Sequence, residues 1–168
     1  LALMLIERGH LRLHDPLLAF DPRFRCLKVL HTNREMELAK SAITLEHLLT
    51  HRAGFSYEFL LGGQIAAYYR DANLVDDGFR ALDEMMGALC EIPLAFHPGE
   101  DWRCSVATDV LAHVIERTTG QRTDVLLKKH FIEPLGMSGT TYCLRDDQIK
   151  RFMSPYGNEK LVRLPVLK

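Results

Sequence analysis

The residues best suited to chemistry gather in "HPGEDWRCSVATDVL", residues 97–111. A Pro98-Gly99 turn leads to Trp102, the chain's only tryptophan, then to a polar step at Arg103, Cys104 and Ser105. A cysteine on such a step offers two chemistries. It is a thiolate nucleophile if a histidine lies beside it in space, or a proton-relay group if the nucleophile comes from elsewhere. The plainer reading is a small buried or half-exposed cysteine with no chemical role. A second cluster, "HLLTH", sets His47 and His51 one helical turn apart, a spacing that two zinc-bound histidines can share. The zincin pattern puts a glutamate directly after the first histidine, whereas Leu48 stands there and no third ligand is evident. The pair therefore reads as structural, as do His10 and His14 around their Pro-bounded stretch. No metal ligand is assigned.

Nucleophile motifs are missing. Ser-x-x-Lys would place a hydroxyl and a lysine on one helical face, close enough for proton transfer. None of Ser41, Ser56, Ser105, Ser138 or Ser154 has a lysine three residues on. "GFSYE" and "GMSGT" both fail the Gly-x-Ser-x-Gly elbow, and Gly62-Gly63 is a local break rather than a phosphate-cradling loop.

The elements that must position the step are mostly helical. With 168 residues and 47% hydrophobic content, one domain with a sizeable core is expected. A net charge of -1, with Lys128-Lys129-His130 as the densest basic spot, argues against a nucleic-acid or anionic-membrane surface. The opening apolar run, "LALMLI", falls far short of a membrane span. Four dispersed cysteines, at 26, 90, 104 and 143, suggest reduced thiols. No signal peptide is visible; any such segment would lie upstream, and the cytoplasm is slightly favoured.

Helices are expected at the start, closing at Gly9, and at Thr44–Gly54, where Thr44 caps and His47 takes the place usually held by Glu or Gln. Two more are expected in residues 62–90, around an acidic "VDD" loop. A well-defined helix follows Ser105 as cap, with Val106, Val110, Leu111, Val114 and Ile115 on one stripe and Gly120 as stop. Another runs from Thr123-Asp124 to Pro134. "FRCLKVL" (24–30) reads as a strand, Leu11 and Leu13 alternate in a strand-like way, residues 31–42 read as loop, and the tail "KLVRLPVLK" is strand-like. The chain opens uncapped and apolar at Leu1, so it is expected to be an internal piece, folded as a single unit over 1–168.

Four stretches in order resemble the serine β-lactamase and penicillin-binding-protein-like hydrolases, nearest the class C β-lactamases and related esterases. They are "LALMLIERGHLRLHDPL", "ITLEHLLTHRAGFSY", "HPGEDWRCSVATDVLAHVIERTTGQ" and "FIEPLGMSGTTY". The resemblance implies the helical subdomain of an α+β fold, mostly α with a few short strands. It would lack the segment with the nucleophilic serine and its lysine, which would precede Leu1, and the sheet strands beyond Lys168. It also implies acyl transfer and hydrolysis of a small-molecule ester or amide, with no metal or organic cofactor.

Aligning the family's middle motif on "WRCSVATDVL" puts Cys104 at the family's tyrosine and Val106 at its asparagine or leucine. Trp102, Val106 and Tyr57 become the substrate-binding candidates. A thiol is shorter than a phenol and titrates near about 8.5 rather than about 10. Losing one proton-relay member costs on the order of 100- to 10,000-fold in rate. Three readings stay open: a hydrolase piece inactive by itself, a non-catalytic homologue that binds a ligand or acts as a scaffold, and a Cys104 thiol hydrolase. Oligomeric state stays open too.

Overall fold

The computed structural model describes residues 1–60, 63–74, 80–142, 144 and 146–149. Contacts group the chain into two compact units, Leu1–Gln121 and Arg122–Lys168.

The first unit opens with α1 (Ala2–Glu7), which buries Ala2 and Leu5 and closes just before Gly9, as expected. The alternating Leu11–Leu13 run forms no strand. The Asp15 carboxylate accepts the Arg12 N–H at 2.8 Å, and this local bond competes successfully with extended pairing. Leu11 is buried and Leu13 exposed.

"FRCLKVL" is strand only in its second half. Residues Pro22–Cys26 form a 3-10 turn capped by Asp21, and β1 covers Lys28–Leu30. The expected loop at 31–42 contains β2 (Met36–Leu38), paired antiparallel to β1 with Val29 opposite Glu37. All three β2 residues are exposed, so no buried alternation marks the strand in the sequence. On the other side of β1, Leu94 runs parallel to it: Leu30 N–H donates to the Leu94 carbonyl at 2.9 Å, and Leu94 N–H to the Lys28 carbonyl at 2.7 Å.

Helix α2 (Leu45–Leu49) has a complete capping box. Thr44 Oγ1 accepts the His47 N–H and His47 Nδ1 accepts the Thr44 N–H, both at 3.3 Å. An imidazole thus does what Glu or Gln usually does. The helix ends well before Gly54, because Thr50 caps it and His51 adopts a left-handed φ of 55°. Helices α3 (Gln64–Asp71) and α4 (Leu82–Leu89) lie where expected; the "VDD" loop falls outside the described residues.

Helix α5 (Ala107–Thr119) buries Val110, Val114 and Ile115 and stops at the left-handed Gly120. It packs on α2 and α4, and joins Leu45, Leu48, Met86 and Leu89 in the core. Each such aliphatic side chain contributes about 1.5–3 kcal/mol on burial. The expected cap is corrected. The Ser105 hydroxyl contacts His51 Nδ1 at 3.5 Å, and the N-cap position falls to Val106, which makes no side-chain bond.

In the second unit, α6 (Thr123–Leu127) runs into a π turn at Lys128–Ile132. Pro134 follows at the expected stop, where its ring cannot continue a helix. A short helix, α7, spans Asp146–Ile149. The strand-like tail lies outside the described residues.

Among the described residues the fold is mostly helical with one two-stranded hairpin, as expected. No described helix is long and apolar enough to cross a membrane, and Cys26, Cys90 and Cys104 are free thiols.

Candidate functional site

The polar step is held by the loop that follows α2. Gly54 has φ 89°, and a Cβ there would sit 2.4 Å from the Phe96 carbonyl oxygen, so only glycine permits this approach. Ala95 N–H then donates to the Gly54 carbonyl at 2.8 Å. Gly99 makes the next close contact. Its φ is 87°, a Cβ would lie 3.1 Å from His47 Nε2, and its N–H donates to the Arg52 carbonyl at 2.8 Å. The Arg52 guanidinium in turn donates to the Gly99 carbonyl.

Beyond this turn the backbone is stitched to the loop. Arg103 N–H donates to the His51 carbonyl at 3.0 Å, and Val106 N–H to the Ser56 carbonyl at 3.4 Å. Arg103 Nη1 reaches Ser56 Oγ at 3.4 Å. Ser56 N–H donates to the buried Tyr69 hydroxyl at 2.9 Å, which fixes the loop from below. Cys104 sits on this backbone and is exposed.

The sequence candidates divide by burial. Trp102 is 63% exposed, its ring edge-on to His51 with centroids 6.4 Å apart. Tyr57 is half-buried and stacks on Phe59 at 4.7 Å. Burial pushes the Tyr57 phenol above its ordinary range, with Asp109 and Cys104 adding to the effect. Val106 has no exposed surface, so it meets a ligand only through the step it anchors. Arg103, given no role by the sequence beyond the polar step, lines a cleft of about 270 Å³ with Leu30, His31, Gln64, Ile65 and Ala95.

The histidines singled out by spacing have other partners. His47 closes the capping box, and burial lowers its pKa. His51 contacts Ser105, and His14 pairs with Glu46 at 3.3 Å. Among the described residues, two other groups have metal-ligand composition: Asp21, Asp83 and His113, and His31, Glu37 and His97. The first already holds a cation, because the Arg23 guanidinium donates to both carboxylates. Sequence spacing could not reveal either group, since each joins residues far apart in the chain.

Residues 1–167 match the family described as Beta-lactamase. Esterase EstB from Burkholderia gladioli is 34% identical over 168 residues, a match covering 96% of this chain and 40% of the esterase. Among solved structures, EstCE1, described as a hydrolase with promiscuous acyltransferase activity, superposes with a TM-score of 0.75 at 25% identity. That match covers 99% of this chain and 42% of EstCE1. Unliganded simvastatin synthase from Aspergillus terreus, as its selenomethionyl derivative, gives a TM-score of 0.72 at 27% identity, covering 98% of this chain and 41% of that one. The chain spans about 40% of the length of the relatives it matches.

Proposed function

The chain belongs to the β-lactamase family, and from that premise we propose that residues 102–106 form one wall of a serine acyl-transfer site. The substrate class is a small-molecule ester or amide, in keeping with the esterase and acyltransferase named among the relatives. The serine and lysine of Ser-x-x-Lys come from polypeptide outside these 168 residues. In that site the serine attacks the carbonyl carbon and the lysine helps take its proton. Backbone N–H groups hold the oxyanion, and water releases the acyl group. Cys104 occupies the relay position, with Trp102 and Tyr57 beside the acyl group.

The observation that carries this reading is the exposure of Cys104 on a backbone held between two loops. A relay group must reach solvent-side atoms of a substrate while its own backbone stays fixed. Without that serine and lysine the chain by itself has no hydrolase turnover, and because the thiol is too short to replace a phenol a completed site is slow. The test is a longer polypeptide that supplies Ser-x-x-Lys ahead of Leu1, assayed on short-chain p-nitrophenyl esters. Cys104→Tyr is expected to raise kcat by about 100-fold or more. No rise would favour the second reading, a non-catalytic homologue that binds a ligand, which the same Cys104 and the buried Val106 support.

A further inference from the structure

We propose that His31, Glu37 and His97 form a zinc site beside the β1–β2 hairpin. The ligands are Nε2 of each histidine and one carboxylate oxygen of Glu37, with water completing a tetrahedron.

The fold builds this group from three places. Glu37 lies on β2 opposite Val29, and His31 follows the last residue of β1. The parallel bridge between Val29 and Leu94 then carries the chain toward His97. His31 Nε2 lies 2.9 Å from Glu37 Oε1, and His97 Nε2 lies 2.6 Å from the same oxygen. All three ligand atoms fall within 4.8 Å of one another. Zinc bonds of about 2.0–2.2 Å place neighbouring tetrahedral ligands about 3.4 Å apart. An opening of under about 1 Å would therefore admit the ion.

The three side chains differ in freedom. His97 is 3% exposed and held in place by the fold. His31 and Glu37 are partly open to solvent, so they can adjust and leave room for the fourth ligand. Two histidines, one carboxylate and water make a recurrent zinc donor set. Unlike the Asp21 group, this one has no guanidinium between its ligands among the described residues.

Protons balance without loss. His97 Nδ1 now accepts the Lys40 N–H at 3.4 Å, which places the ring proton on Nε2. Zinc on Nε2 requires that proton to move to Nδ1. The long contact with the Lys40 backbone N–H is then given up, and its loss is the cost of the tautomer change. His31 likewise keeps one ring proton, on Nδ1.

The test is calorimetric titration of zinc chloride into the metal-free chain, with nitrogen NMR of the histidine rings. One site with a Kd on the order of 10 µM or tighter is expected, with the His97 signals changing tautomer and the melting temperature rising. His31→Ala and Glu37→Gln, both at partly exposed positions, should keep the fold and weaken binding by at least about 10-fold. No binding below about 1 mM, or binding that both variants leave unchanged, would overturn the proposal.

Discussion

Two of the places where helix α5 is held differ in kind. Near its middle, His113 Nε2 lies 3.0 Å from the carboxylate of Asp21, itself only 3% exposed. That carboxylate also accepts Arg23 Nη2 at 2.6 Å, while Arg23 Nη2 reaches Asp83 at 2.7 Å. At the head of the helix, the contacts of Ser105 and Val106 are 3.5 and 3.4 Å long. Short bonds to the buried Asp21 carboxylate secure the fold there. Longer neutral ones at the helix entrance leave Trp102 and Cys104 exposed. The shortest bonds lie beneath the helix, and the proposed relay residue lies at its entrance.

The contrast breaks most readily at the buried end. Asp21→Ala should destabilise the protein by about 3–5 kcal/mol, the loss seen when one partner of a buried pair is removed; denaturant unfolding checks this. Gly54→Ala comes next, at up to about 3 kcal/mol, because it combines backbone strain with a clash against Phe96. Thermal unfolding should show the loss, and Trp102 fluorescence should report the displaced step.

Acid gives a smaller effect. Burial alone would raise the Asp21 pKa, but Arg23 and His113 hold it down at about 2. The unfolded value is about 3.9. The stabilisation is therefore present above that value and is lost as pH falls through about 2. It amounts to about 2 kcal/mol. Asp21→Asn should remove this part of the acid-unfolding curve. At the surface end, Cys104→Ala should change stability by no more than about 0.5 kcal/mol. A large loss there would show that Cys104 is a packing residue rather than a relay group.

What local pattern encodes was legible in the sequence. The Val110, Val114 and Ile115 stripe and the Gly120 stop are properties of a single helix, and both stand where expected. Ser105 looked like a cap because the rule concerns neighbours in sequence; its hydroxyl instead faces His51, 54 residues earlier. Strand β2 was missed because all its residues are exposed. The Asp21–His113 bond crosses 92 residues and leaves no periodic trace. The four-part family resemblance located the step but could not show that Val106 is buried beneath it while Cys104 is exposed.

The most direct test of a wall without its nucleophile is a hydrolysis assay on the purified 168-residue chain. It uses short-chain p-nitrophenyl esters and a chromogenic cephalosporin, with and without a serine-directed acylating reagent. The expected result is no turnover on either substrate. Turnover that the reagent abolishes would place the reactive serine within these residues and contradict the account.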